Sequence, residues 1–241
     1  MSTHFPSLIP LLVDSKLITM SKLKKFTTQA PRRLPVIILA DVSGSMSADG
    51  KIETLNRSIR EMLDSFQDED DVRAKIHVAV ITFNDREATL HQPLLIADEM
   101  IWEDMTAGGR TPMGSAFSMA KVILEDKEQI ASRDYRPTLV LVSDGIPTDN
   151  WYSPLQELLE SPRASKAVRL AMGIGAEADN EPLQAFIANQ DMEIPVFQAD
   201  EANQIQKFFR FVTLSVTSRS RSASPNTIPV IDYDDIEDID F

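Results

Sequence analysis

Residues 34–45 read LPVIILADVSGS, an apolar run that stops at an acid and two serines. A continuous apolar run of this length is typical of a β-strand buried on both faces, as in parallel sheets. Gly44 lets the backbone turn tightly just after the strand. Ligands of open α/β sheets bind outside the carboxyl ends of the strands, so Asp41, Ser43 and Ser45 lie where a binding site is expected.

Strand-like and helix-like segments alternate through the rest of the chain. Apolar residues at helical spacing predict a helix over 51–66, and a strand is predicted at 76–83, followed by a short edge strand at 88–94. The later elements are expected to be helix 112–126, strand 137–143, a short helix from 153, strand 166–174, helix 181–189, strand 194–199 and helix 201–217. This alternation predicts an α/β fold, a doubly wound, mostly parallel six-stranded sheet with helices on both faces.

Charge divides the chain into a central domain and two appendages. The N-terminal residues are rich in lysine and arginine, whereas the last ten residues contain six acids and no base. We predict an N-terminal extension at 1–32, one domain at 33–217, and a Ser/Arg linker with an acidic tail at 218–241.

The acidic tail also carries apolar residues between its acids, namely Ile228, Val230, Ile231, Tyr233, Ile236, Ile239 and Phe241. A charged run is usually a solvated surface. Apolar residues recurring among acids are also typical of a docking peptide that folds on binding a partner. We favour the docking peptide.

Composition excludes several classes of protein. The chain has no cysteine, which rules out disulfides, thiolate metal sites and a cysteine nucleophile. A formal net charge of −13 argues against binding nucleic acid through overall charge. No apolar run approaches the roughly 20 residues of a membrane span, and no Lys or Arg precedes the apolar patch at 8–13 as a signal peptide would require. We therefore expect a cytoplasmic protein.

Two further loops supply oxygen-bearing side chains at the same rim of the predicted sheet. Asp144 follows the strand at 137–143, and Thr111 precedes the helix at 112. Two carboxylates and three hydroxyls suit a hard divalent cation, with Mg²⁺ expected and Mn²⁺ or Ca²⁺ also open. So few anionic ligands leave the metal able to attract an anionic group from outside.

These motifs resemble the metal-ion-dependent adhesion site of von Willebrand factor A (vWA) domains. Residues 41–45 match its DxSxS motif, 109–114 resemble its threonine loop and 143–145 its last aspartate segment, within a similarity spanning roughly 33–216. The resemblance implies that Ser43, Ser45 and Thr111 contact the metal, that Asp41 and Asp144 bind it directly or through water, and that an Asp or Glu of a protein partner completes the shell. Arg110 departs from the family, which often has a third glycine there.

The longer match, Ser143 to Asp149, looks most like the TerY-like bacterial proteins of tellurium-resistance clusters. That resemblance implies an intracellular adaptor associated with a protein kinase and a PP2C-type phosphatase.

Local capping signals add three expectations. Thr111 is a good N-cap for a helix with Pro112 at its first position. Ser153 and Gln156 have the spacing of a capping box. Asp149 is expected to stabilise its own turn, with a supporting role at the metal or a regulatory role as the alternative.

We therefore predict a non-enzymatic, metal-dependent protein-binding module. The main alternative is a haloacid-dehalogenase-like phosphatase using Asp41, but its motif needs a second acid where this chain has Ser43. A hydrolase using Ser43 or Ser45 lacks a G-x-S-x-G elbow and a suitable following histidine, and no P-loop motif is present.

Overall fold

The computed structural model describes residues 31–69, 73–175, 180–229, 231, 233 and 236. Nearly all of the predicted N-terminal extension lies outside the described residues, as do Val230, Ile239 and Phe241 of the tail. The strands are β1 (Arg32–Asp41), β2 (Ala74–Asn84), β3 (Glu87–Ile96), β4 (Thr138–Ser143), β5 (Val168–Ile174) and β6 (Phe197–Ala199). The α-helices are α1 (Lys51–Gln67), α2 (Met113–Glu125), α3 (Tyr152–Glu160), α4 (Asn180–Ile187) and α5 (Ala202–Arg221).

The strands form one sheet in the order β3-β2-β1-β4-β5-β6, in which only the β2–β3 pair is antiparallel. The predicted doubly wound, mostly parallel six-stranded sheet is confirmed. The chain winds outward from β1 in one direction and from β4 in the other. The winding therefore reverses between β1 and β4, where ligands of such sheets bind.

Helices cover both faces of the sheet, and β1 alternates its side chains between the two faces. Val36 and Ile38 pack in a core with α1 and α5, whereas Ile37 and Leu39 pack in a second core with α2, α3 and α4. All four side chains are fully buried, which explains why the strand is a continuous apolar run. None of the described helices combines the length and apolar character needed to cross a membrane.

The capping box predicted for α3 is wrong. Helix α3 begins at Tyr152, one residue before Ser153, and its N-cap Trp151 makes no side-chain capping bond. The capping box predicted for Ser153 and Gln156 therefore does not form. A capping box occurs instead at the start of α5, where the Glu201 amide donates to Gln204 Oε1 over 2.9 Å.

The predicted linker is partly helical, because α5 continues to Arg221. Arg219 and Ser220 are buried, and the Arg219 guanidinium donates to the carbonyl of Pro225 over 2.7 Å. A buried cation with fixed partners holds this last turn of the helix and the start of the following segment in place.

The described apolar residues of the tail pack on the domain's own core. Ile236 is fully buried, and the Tyr233 ring lies 4.6 Å from Phe197 and 5.9 Å from Phe211, measured between ring centres. Ile228 and Ile231 pack against the same core. These four residues, part of the segment expected to dock on a partner, thus pack within the chain itself.

Candidate metal centre

The predicted ligands stand at the carboxyl end of the sheet. Asp41 is the last residue of β1, and Asp144 directly follows β4. Ser43 and Ser45 belong to the turn after β1, and Thr111 lies just before α2. We call this edge, comprising residues 41–45, 108–112 and 143–145, the metal rim. The β1–β4 pairing brings its first and last segments side by side.

Hydrogen bonds link Ser43, Ser45 and Asp144. Ser43 Oγ lies 3.0 Å from Ser45 Oγ, and Ser45 Oγ donates to Asp144 Oδ1 over 2.7 Å. Ser45 is exposed, whereas the other four predicted ligands are buried. The site is thus built into the sheet edge and opens to solvent at Ser45.

Side-chain oxygens of Thr111, Ser45 and Asp41 converge near Gly145. A Cβ placed at this glycine would lie 3.2 Å from Thr111 Oγ1, 3.7 Å from Ser45 Oγ and 4.0 Å from Asp41 Oδ2. One small volume therefore faces oxygens from all three segments of the metal rim. A side chain at position 145 would crowd the Thr111 hydroxyl, so glycine keeps these oxygens accessible.

Asp41 is a buried carboxylate whose two oxygens are both held. The Ser43 amide donates to Oδ1 over 2.9 Å, and the Ser143 hydroxyl donates to Oδ2 over 2.6 Å. Burial raises the pKa of Asp41 from 3.8 to about 6, although the hydrogen bonds from Ser143 and Ser43 lower it. No lysine, arginine or histidine of the described residues pairs with Asp41. A bound cation would offset the cost of keeping this group ionised.

Ser143 and Lys51 belong to the site although the sequence analysis gave them no role. Ser143 orients Asp41. The only feature of the sequence that could have identified Ser143 is its place immediately before Asp144. Lys51 donates from Nζ to Asp144 Oδ2 over 2.8 Å, and the Asp144 side chain is completely buried. Lysine as the first residue of a helix was a signal too, because the positive end of the helix dipole disfavours a cation there.

Thr111 does not cap α2 as predicted. The helix begins at Met113 after Pro112, and the amides of Gly114 and Ser115 donate to Asp149 Oδ1 and Oδ2 over 2.9 and 3.0 Å. Asp149 thus caps α2 from a distant loop, rather than stabilising its own turn. The Thr111 hydroxyl makes no hydrogen bond with any described residue and remains available to a metal.

The donor set fits a hard divalent cation. Among the residues that the structure describes, no three His, Cys, Asp or Glu side chains form a group able to hold a metal. A metal at the rim would therefore rely on hydroxyls together with two carboxylates, oxygen ligands of the kind that Mg²⁺ and Mn²⁺ accept. Arg110, the departure from the family motif, is exposed and lines a neighbouring cleft of about 640 Å³ with residues 84–87 and 89.

A family model described as the von Willebrand factor type A domain matches residues 36–211. No curated protein sequence matches the chain significantly. Several solved structures share the fold. A von Willebrand factor type A protein from Catenulispora acidiphila is 18% identical, with a TM-score of 0.57, over 76% of this chain and 42% of that one. The ArnB paralog VWA2 from Sulfolobus acidocaldarius is 16% identical, with a TM-score of 0.54, over 78% of this chain and 45% of that one.

A third similar structure is proximal thread matrix protein 1 from the mussel byssus with a zinc-occupied MIDAS motif. It is 15% identical, with a TM-score of 0.57, over 78% of this chain and 48% of that one. The match thus spans less than half of each of these three solved chains. At such low identities the likeness establishes the fold alone.

Proposed function

The chain belongs to the von Willebrand factor type A domain family, and on that premise we propose that it is a non-enzymatic module that captures a protein partner through a bound divalent cation. The cation is held by Asp41, Ser43, Ser45, Thr111 and Asp144. The partner contributes an Asp or Glu side chain, whose carboxylate completes the metal's ligand shell.

The observation that carries this proposal is the convergence of side-chain oxygens at Gly145. Thr111 Oγ1, Ser45 Oγ and Asp41 Oδ2 all lie within 4.0 Å of one point that is free of side chains. The predicted ligands include only two carboxylates, so a divalent cation there keeps an affinity for an external anion. When bound, the cation supplies a positive centre for a carboxylate oxygen. The chain contributes the rest: Ser143 orients Asp41, and Gly145 keeps the approach open.

We also propose a cellular setting. The similarity of residues 143–149 to TerY-like proteins supports an adaptor in a bacterial tellurium-resistance-type system, with a protein kinase and a PP2C-type phosphatase as partners. The absence of cysteine suits the reducing cytoplasm. A zinc-occupied MIDAS motif in the mussel protein supports a divalent cation, and Mg²⁺ is our choice for the cell.

Replacing Asp41 with alanine tests the proposal. We expect Asp41→Ala to abolish Mn²⁺ binding, measured by calorimetry, and to abolish chelator-sensitive capture of partners from a native extract, identified by mass spectrometry. Circular dichroism should show an intact fold, because the substitution removes a buried charge rather than core volume. The matched control is Asp98→Ala, which removes a half-exposed acid paired with Lys75 outside the metal rim.

Two results would count against the proposal. Chelator-sensitive capture by Asp41→Ala at wild-type affinity would show that the metal rim is not the binding site. Hydrolysis of a generic phosphate ester by the wild type, lost in Asp41→Ala, would favour the phosphatase alternative. We expect no hydrolysis, because the position two residues after Asp41 holds Ser43 instead of a general acid.

A further inference from the structure

Lys51 places a cation directly beside the metal rim. Its Nζ lies 2.8 Å from Asp144 Oδ2, the lysine side chain is only 20% exposed and the aspartate side chain is fully buried. Asp144 therefore divides its oxygens between Lys51 and the hydroxyl of Ser45. The ligand loop and the lysine bind opposite oxygens of one carboxylate.

Local structure gives no reason for a lysine at this position. It is the first residue of α1, where the helix dipole favours acids over bases. Positions 54 and 55, one helical turn further on, hold Thr and Leu, so no acid of the helix pairs with it. The contact that stabilises Lys51 is the one with Asp144, 93 residues away in the sequence.

Gly175 lies beside the ammonium group. Its φ of +84° favours glycine, and a Cβ there would be in ordinary van der Waals contact with Lys51 Nζ at 3.6 Å. Lys51 lines a cavity of about 520 Å³ together with Asp144, Asp49, Asp200 and Glu201. The last three acids are exposed and so are screened by water, whereas Asp144 is buried. The charge of Lys51 therefore acts mainly on the metal rim.

We propose that Lys51 couples metal binding to carboxylate binding, an inference that rests on the proposed function. Asp41, Asp144 and Lys51 together carry one negative charge, so a divalent cation leaves the site with one positive charge. That excess weakens retention of the metal alone and strengthens the demand for an outside carboxylate. Because coupling between two ligands is reciprocal, the partner's carboxylate tightens the metal by the same factor as the metal tightens the partner.

Calorimetric Mn²⁺ titrations of the full chain, with and without excess sodium acetate as the probe carboxylate, test this inference. Salt is matched with sodium chloride. We expect Lys51→Met to bind Mn²⁺ at least about tenfold more tightly than wild type in the absence of acetate, because one positive charge beside the metal is gone. Acetate should tighten Mn²⁺ binding to wild type and have a smaller effect on Lys51→Met.

Two control variants separate charge from structure. Lys51→Arg keeps the charge and should restore wild-type coupling. Lys75→Met removes a lysine from an exposed ion pair with Asp98 and should change neither titration. A purely structural role for Lys51 would lower the unfolding temperature of Lys51→Met in chelator without tightening the metal.

The outcomes also distinguish this inference from the proposed function. Unchanged or weaker Mn²⁺ binding by a folded Lys51→Met, beside a wild type that binds, overturns the coupling role alone. Absence of Mn²⁺ binding in both proteins overturns the metal-dependent function and this inference together. Equal acetate effects in both proteins would show that Lys51 does not provide the coupling.

Discussion

The two ends of the sheet both bury charged side chains, but they satisfy them differently. At the metal rim, the buried charges are the carboxylates of Asp41 and Asp144. At the opposite end, where β4 and β5 begin, the buried charges are the guanidinium groups of Arg169 and Arg219. We call this second region the base, comprising those two arginines, Thr138 and the tail residues that pack beside them.

Each arginine of the base donates to several fixed acceptors. Arg219 donates to the carbonyls of Pro225 and Arg136 and to the hydroxyl of Thr138. Arg169 donates to the carbonyls of residues 186 and 188, each over 2.7 Å. Burial lowers the pKa of Arg219 to about 10, so the side chain is still a cation at neutral pH.

The metal rim leaves part of its bonding capacity unused. Asp41 has no cationic partner among the described residues, and the Thr111 hydroxyl has no hydrogen bond within the same part of the chain. The difference shows that buried charges can serve either stability or binding. Buried arginines that donate to several fixed acceptors stabilise the fold, whereas a buried carboxylate without a cationic partner is suited to bind a cation.

Removing the Arg219 side chain should have the largest effect on the free energy of unfolding. Arg219→Met leaves two carbonyls and one hydroxyl without their donor, and we expect it to lower the free energy of unfolding by about 4 kcal/mol. Urea denaturation measures the change. Arg57→Met removes an exposed arginine and should stay within about 0.5 kcal/mol of wild type. A small loss in Arg219→Met would show that the base is not held by this residue.

Ionisation of Asp41 in the metal rim should lower the free energy of unfolding. Its pKa is raised from 3.8 when unfolded to about 6 in the metal-free fold, so its contribution to stability is present below pH 3.8 and lost as pH rises through about 6. We expect a loss of about 3 kcal/mol over that range, relative to Asp41→Asn. Urea denaturation in chelator at the two ends of the range measures it.

Divalent metal should reverse this loss near neutral pH, because it binds the ionised carboxylate. A difference between wild type and Asp41→Asn that does not change with pH would contradict the burial of this charge.

The tail should contribute to stability through Ile236, which is buried in the domain's core. Ile236→Ala removes a fully buried side chain, and we expect a loss of about 2 kcal/mol in the free energy of unfolding. The control is Ile146→Ala at a position that is 67% exposed, where the change should be under about 0.5 kcal/mol. Equal effects in thermal or urea unfolding would mean that the tail does not pack stably on the domain.

The smallest effect is expected at Asp149, whose loop supports the metal rim. Asp149→Ala removes the acceptor for two amides of α2 and should cost about 1 kcal/mol in unfolding free energy. It should also weaken Mn²⁺ binding modestly, since the same loop holds the backbone of Thr111 through Thr148. Asp191→Ala, which removes an exposed acid at the surface, serves as the control. Unchanged stability would show that α2 does not depend on this cap.

Most of the fold was predictable from the sequence because its signals are local. The run at 34–40 and the helical spacing over 51–66 place a buried strand and its covering helix without knowledge of anything distant. The predicted caps failed for the opposite reason. Thr111 has the right chemistry for a cap, yet Asp149 supplies the acceptors from 35 residues away. A capping pattern cannot reveal a partner brought in by another loop.

The sequence by itself determined the order of strands and helices and the oxygen-rich character of the metal rim. The hydrophobic period and the residues after each strand encode both directly. Only the tertiary structure decided that Lys51 reaches Asp144, that Ser143 holds Asp41, and that Tyr233 and Ile236 pack on the domain's own core. Each of these contacts joins residues far apart in the chain. They form because the sheet brings distant segments together, which no local sequence preference encodes.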